Sequence, residues 1–350
     1  MGARCLIFLR RHALEENMTP LIAIGVVLAG LAFPAAAAEG PTLTVYTYRS
    51  FVADWGPGPA IKKAFEAECD CTLDLVGLGD GAEVLNRLRL EGDRAKADVV
   101  LGLDTSMMAE AKATGLLARH ELDLGHLNLP SGWDDDVFVP FDHGYFAFVY
   151  DKTRLAAPPR SLDELVNGDP DQKIIIEDPR TSTPGLGLLL WMRKVYGDGA
   201  ADAWAKLNRR ILTVTKGWSE AYGMFLEGEA PMVLSYTTSP AYHIIAENKD
   251  QFAAAMFSEG HYQQVEIAAA VKTAKHPDLA RRFLRFVVSP GFQNAIPTGN
   301  WMYPVIELGD GLPPAFAALP KPDIALSFAP EEVAANRKRW IDDWLEAMSR

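Results

Sequence analysis

The sequence predicts an α/β protein of two lobes joined by two crossing segments, with a binding cleft between them. Three observations carry that prediction. Apolar stretches of strand length alternate with amphipathic helical stretches, the pattern of a parallel sheet covered on both faces. Two longer extended stretches, near residues 137–150 and 264–271, break that rhythm and read as the crossings. The chain has 350 residues, enough for about two domains of ordinary size. Residues 39–140 and 268–350 are assigned to the first lobe and residues 141–267 to the second.

Residues 43–48, Leu-Thr-Val-Tyr-Thr-Tyr, alternate and form the first strand. A Gly/Pro turn over 55–59 leads into a helix whose Ile61 and Phe65 share a face. Residues 72–78 are the next strand, and a helix opens at Asp80-Gly81-Ala82-Glu83 with Val84, Leu85 and Leu88 inward. Asp80 and Glu83 have capping-box spacing, so Asp80 is either a helix cap or a binding group. A buried strand over 97–103 and a helix over 106–114 follow. Past the first crossing, Ser161 caps a short helix over 161–166. Residues 173–177 are a strand, and the loop 178–184 opens an apolar helix over 185–195. Residues 219–226 are helical, 232–236 a strand and 241–247 helical. Leu279, Phe283, Phe286 and Val287 then form one stripe of a helix over 277–288. An amphipathic helix over 331–348 carries Trp340 and Trp344. Trp191 and Trp204 lie within helical stretches and read as core.

Net charge is −12. This balance disfavours nucleic acid and anionic membrane surfaces as partners, because both require Lys and Arg against phosphate. It mildly favours a cationic ligand. Arg10 and Arg11, the apolar run 21–33 and the small residues Pro34-Ala35-Ala36-Ala37-Ala38 describe a secretory signal peptide over 1–38, with Met18 an alternative start. Cleavage after Ala38 leaves −13, since the leader carries three arginines against two glutamates. Cys69 and Cys71 are then the remaining thiols. In an oxidising compartment they either bridge or stay free at a surface turn. Neither a second Cys pair nor a nearby His completes a metal set.

Loops just past strands carry the candidate chemistry, because open α/β sheets bind ligands at the carboxyl ends of their strands. Tyr48 to Trp55, Asp80-Gly81, Ser182-Thr183, Trp218, the run Tyr236-Thr237-Thr238-Ser239 with Tyr242, and Trp301 all occupy such places. Each residue alone has a structural explanation as packing or capping. Together, large rings in Gly, Pro, Ser and Thr loops beside an acidic side chain describe a cage for a flat or cationic ligand. Ser182 and Thr183 at a helix start suit a hydroxyl or phosphate. Catalytic signatures are missing: the sequence has no GxSxG elbow, HExxH helix, phosphate loop or dinucleotide fingerprint. His143 and His243 stand near candidate loops without ligand spacing.

Several strings resemble the periplasmic thiamine-binding proteins of thiamine importers, within the type 2 periplasmic binding fold. They are Val45-Tyr46-Thr47-Tyr48, Ala53-Asp54-Trp55-Gly56-Pro57-Gly58-Pro59 and residues 97–104, together with residues 178–190, 214–223, 234–244 and 294–304. The likeness covers residues 43–350, with 307–326 divergent. It implies a non-enzymatic binding component that delivers thiamine, thiamine monophosphate or thiamine diphosphate to a membrane permease with an ATPase subunit. It also implies that the protein acts as a monomer in the periplasm. By the same resemblance Trp218, Tyr236, Thr237, Thr238, Ser239 and Tyr242 surround the rings. Tyr48, Trp55 and Trp301 form an aromatic wall, and Asp80, Gly81, Ser182 and Thr183 are binding positions. No cofactor and no metal are implied.

Two rivals share the fold. A ferric-ion-binding protein would use paired tyrosines, for which Tyr236 and Tyr242 are candidates. A thiaminase I-like enzyme would need a cysteine in the cleft, whereas Cys69 and Cys71 lie on a helix-to-strand turn.

Overall fold

The computed structural model describes residues 40–349. The signal peptide assigned to residues 1–38 lies outside the described residues. Eleven strands are found among the described residues. They are β1 (Thr42–Tyr48), β2 (Thr72–Leu78), β3 (Val99–Asp104), β4 (Val139–Asp151), β5 (Ile174–Glu177), β6 (Ile211–Thr215), β7 (Met232–Tyr236), β8 (Phe252–Ala254), β9 (His261–Ala270), β10 (Tyr303–Pro304) and β11 (Ala325–Leu326). Eight form one path in the order β2-β1-β3-β9-β4-β7-β5-β6.

That order divides into two parallel blocks with an antiparallel seam. In one block β1 pairs parallel with both β2 and β3, and in the other β5 pairs parallel with both β6 and β7. Between the blocks, β9 runs antiparallel to β3 and to β4, and β4 runs antiparallel to β7. The anticipated parallel pairing holds within each block, and the seam between the blocks is antiparallel. Strand direction is set by the connection that delivers the strand, which an apolar run does not encode. The two anticipated crossings are β4 and β9, the two longest strands among the described residues. The first, expected near residues 137–150, is one 13-residue strand. Residues 139–145 of β4 pair with β9 and residues 146–150 with β7, so one strand serves both blocks.

Helices cover both faces and bury the expected stripes. Ile61 and Phe65 of the helix Gly58–Cys69 are wholly buried, as are Phe283 and Val287 of the helix Pro277–Val287. Trp191 and Trp204 sit in the core, and Trp340 and Trp344 of the helix Pro330–Met348 are likewise buried. Ser161 caps its helix as anticipated, its Oγ accepting the Glu164 N–H at 2.9 Å. Cys69 and Cys71 are disulfide-bonded across Asp70, which ends the helix in the left-handed conformation. The helix Ala200–Leu207, β6 and β8 were not anticipated. No helix of the described residues is long and apolar enough to cross a membrane.

Candidate functional site

Five of the six strands in the parallel blocks point their following loops at one place. Tyr48 ends β1, Asp80 and Gly81 follow β2, Thr183 follows β5, Trp218 follows β6, and Tyr236 ends β7. These residues line a single cavity of about 250 Å³, together with Trp55, Ser239, Tyr242 and Trp301. Ten of the thirteen sequence-selected positions therefore share one hollow. Ser182, Thr237 and Thr238 do not line it. All three are fully buried behind the wall, so their side chains support the site rather than face it.

Rings make up the cavity rim. Trp55, half-exposed, stands 6.3 Å from Trp218, and Trp218 stacks on Tyr222 at 5.0 Å with 24° between planes. Across the cavity, Tyr242 meets Trp301 edge-on at 5.2 Å. Hydrogen bonds fix the Trp218 indole. Its Nε1–H donates to Ser235 Oγ at 2.8 Å, and Ser235 Oγ lies 2.8 Å from Ser239 Oγ, which accepts the Tyr236 N–H at 3.2 Å. Trp301 holds its place through unusual backbone. A π-helical turn over Ile296–Asn300 ends with Trp301 at φ 58°, the left-handed region that a bulky residue rarely adopts.

Asp80 does not cap its own helix. Its Oδ2 accepts Ser182 Oγ–H at 2.7 Å and the Trp218 N–H at 3.3 Å, so the carboxylate ties β2's loop to two loops of the other block. The capping-box expectation fails because Glu83 turns back instead, accepting the Gly79 N–H at 3.0 Å. Glu83 also pairs with Lys216 at 2.5 Å, a second tie between the same loops. Gly81 is required here, since a side chain would strike the Gly102 carbonyl and Thr183 Oγ1. Burial pushes the Asp80 carboxyl up, against the lowering pull of its bonds to Ser182 and Trp218.

A carboxylate floor completes the cavity, and the sequence reading did not select it. Glu266 of β9 lines the cavity and is 6 % exposed. Its Oε2 accepts Tyr48 O–H at 2.8 Å and Asn300 Nδ2–H at 3.0 Å. Asp142, wholly buried on β4, is the direct cross-strand partner of Glu266. Asp104 of β3 is the partner on the other side. Burial raises the carboxyl pKa of all three, to about 6 for Asp104 and about 7 for Glu266, and well above the ordinary range for Asp142. Glu177, at the end of β5, is 1 % exposed with both oxygens unpartnered, and burial raises it strongly too. No Lys or Arg lines the cavity.

Tyr222 and Asn300 were also missed as site residues. A signal existed for Tyr222, which follows Trp218 by four residues and shares its helix face. Glu266 was visible as the one acidic residue of β9, followed directly by the apolar run Ile267–Ala270. His143, by contrast, is structural: it stacks on Tyr303 at 5.4 Å, and burial lowers its pKa to about 4. His243 bonds Tyr222 Oη at 2.9 Å behind the rim.

The arrangement suits binding rather than catalysis. The disulfide leaves Cys69 and Cys71 without a free thiol, and neither lines the cavity. Tyr236 Oη donates to Gln264 at 2.9 Å. Among the described residues no group of three His, Cys, Asp or Glu could hold a metal ion.

Comparison with known proteins agrees. The family model described as bacterial extracellular solute-binding protein matches residues 51–294. A thiamine-binding periplasmic protein of Escherichia coli is 62 % identical over 310 residues, covering 89 % of this chain and 94 % of the relative. A solved periplasmic thiamin binding protein superposes with a TM-score of 0.88 at 61 % identity, covering 91 % of this chain and 99 % of that one. Iron proteins are more distant: the iron uptake protein A1 of a Synechocystis strain is 26 % identical over 284 residues, with 77 % of each chain covered. Its type 2 periplasmic binding fold, its non-catalytic cavity and these relatives place the chain together: it belongs to the bacterial extracellular solute-binding proteins, in the group of the periplasmic thiamine-binding proteins.

Proposed function

We propose that this protein binds thiamine, or its mono- or diphosphate, in the aromatic cavity and hands it to a membrane permease powered by an ATPase subunit. The observation that carries the reading is one hollow walled by Trp55, Trp218, Tyr222, Tyr242 and Trp301, floored by carboxylates and lined by no basic side chain. Thiamine joins a flat aminopyrimidine to a permanently cationic thiazolium, and aromatic faces bind both. Cation–π contacts contribute roughly 0.5–2 kcal/mol each once water is excluded. Ring stacking adds about 0.5–1.5 kcal/mol per pair. Several of each, with hydrogen bonds, approach the roughly 12 kcal/mol of a nanomolar site. Thr183, which faces the cavity at a helix start, suits the hydroxyethyl or phosphate tail.

In this reading the lobes are residues 39–140 with 268–350, and residues 141–267, and the ligand bridges them. Asp80 and Glu83 already reach across to Ser182, Trp218 and Lys216, so a bridging ligand adds to contacts that favour the closed state. The protein works as a monomer in the periplasm, reached through removal of residues 1–38. Native mass spectrometry of protein purified from thiamine-containing medium tests the ligand. The expected result is a one-to-one adduct with the mass of thiamine or a phosphate ester. An adduct of iron, or loss of free thiamine on incubation, would overturn it.

A further inference from the structure

The carboxylate floor has no cation of its own. Asp142 and Glu266 face each other on β4 and β9, and neither forms an ion pair with Lys or Arg. The groups around them are acidic or neutral. Asp104 stands across from Glu266 on β3, tied to the Ser106 N–H at 3.0 Å and within the field of Arg337. Tyr48 and Asn300 donate to Glu266, and Tyr236 lies in its field. His143 is neutral, and Asp80 and Glu177 add acid from the loops.

Two buried carboxylates in contact cannot both ionise without a counter-charge. Asn300 Nδ2–H also donates to Asp142 Oδ2 at 2.5 Å, while Asp142 Oδ1 accepts no hydrogen bond and is left to carry a proton beside the cross-strand Glu266 carboxylate. Asp142 is buried deeper and does not line the cavity. It therefore keeps its proton, and Glu266 is the member that responds to what enters.

We propose that Glu266 is the specificity-determining counter-charge for the ligand's cationic ring, and that it gives up a proton to solvent when the cation binds. The balance is simple: a protonated Glu266 and a thiazolium cation become a carboxylate–thiazolium pair and one released proton, while Asp142 stays protonated and donates to the new carboxylate. The inference rests on the reading of the ligand as thiamine, and deepens it. Burial holds the empty-site Glu266 pKa near 7, which places the linkage in the neutral range.

Calorimetry with thiamine, in two buffers of different ionisation enthalpy, tests it on the unaltered protein. The expected result is release of about half a proton at pH 7, and an affinity that falls about tenfold from pH 8 to pH 6. Glu266→Gln, checked for folding by its thermal transition, is expected to release no proton and to bind thiamine about tenfold more weakly. It should bind the neutral thiophene isostere, in which carbon replaces the charged ring nitrogen, within about twofold of the unaltered protein. Buffer-independent heat with pH-independent affinity in the unaltered protein would overturn the proposal. So would equal weakening of both ligands by Glu266→Gln, which would place Glu266 on the shared aminopyrimidine. Failure to bind thiamine under any condition would instead overturn the ligand reading beneath it.

Discussion

The rim and the floor of the cavity are built in opposite ways. Rim rings come from loops and from the first helical turns behind them: Trp55 and Trp301 stand in loops, Trp218 opens the helix Trp218–Leu226 and Tyr242 lies in the first turn of the helix Pro240–Ala246, and all but Trp301 have ordinary backbone. Floor groups come from the sheet: Asp142, Glu266 and Asp104 sit in register on β4, β9 and β3, wholly or almost wholly buried. The rim offers polarisable surface that costs little to solvate. The floor holds buried acids whose ionisation costs free energy until a cation arrives. In the proposed function one region supplies affinity for any flat ring, and the other selects a positive one.

That contrast can be broken at the rim first. Trp218→Ala removes a face stacked on Tyr222 and the partner of Trp55, and is expected to weaken thiamine binding at least tenfold by calorimetry. Unchanged affinity would remove the rim from the account. A smaller effect sharpens the floor. Glu177 has a raised pKa, so its contribution to stability is full below the unfolded-state value near 4.3 and is lost as pH rises through the folded-state value. Glu177→Gln lacks that loss. Its melting temperature should match the unaltered protein near pH 4 and exceed it at pH 8 by a few degrees, about 1 kcal/mol. A gap that shrinks with rising pH would show that Glu177 is not held as an uncompensated acid.

The rim was legible in the sequence and the floor was not, for a physical reason. Trp55 and Trp301 stand in Gly-, Pro- and Thr-containing loops, and Trp218 and Tyr242 in the first turns of helices that open from such loops, so composition within a few residues already marks them. Floor residues gain meaning only from partners 124 and 162 positions away, through strand register that local pattern does not encode. Asp80 shows the same limit on a small scale. Its spacing to Glu83 predicts a cap, yet its partners Ser182 and Trp218 lie 102 and 138 residues on. Ser182, Thr237 and Thr238 stand in the same loops, fully buried beside the hollow and not lining it. The fold followed a similar division. Strand and helix periodicity placed the parallel blocks, while the antiparallel β4–β9 seam between them depends on connections too long for pattern to read.

A crystal structure of the protein with thiamine tests the central claim most directly. The account places the ligand's rings among Trp55, Trp218, Tyr242 and Trp301, with the thiazolium toward Glu266. Ligand density outside that hollow, or a thiazolium turned away from the β4–β9 carboxylates, would contradict it.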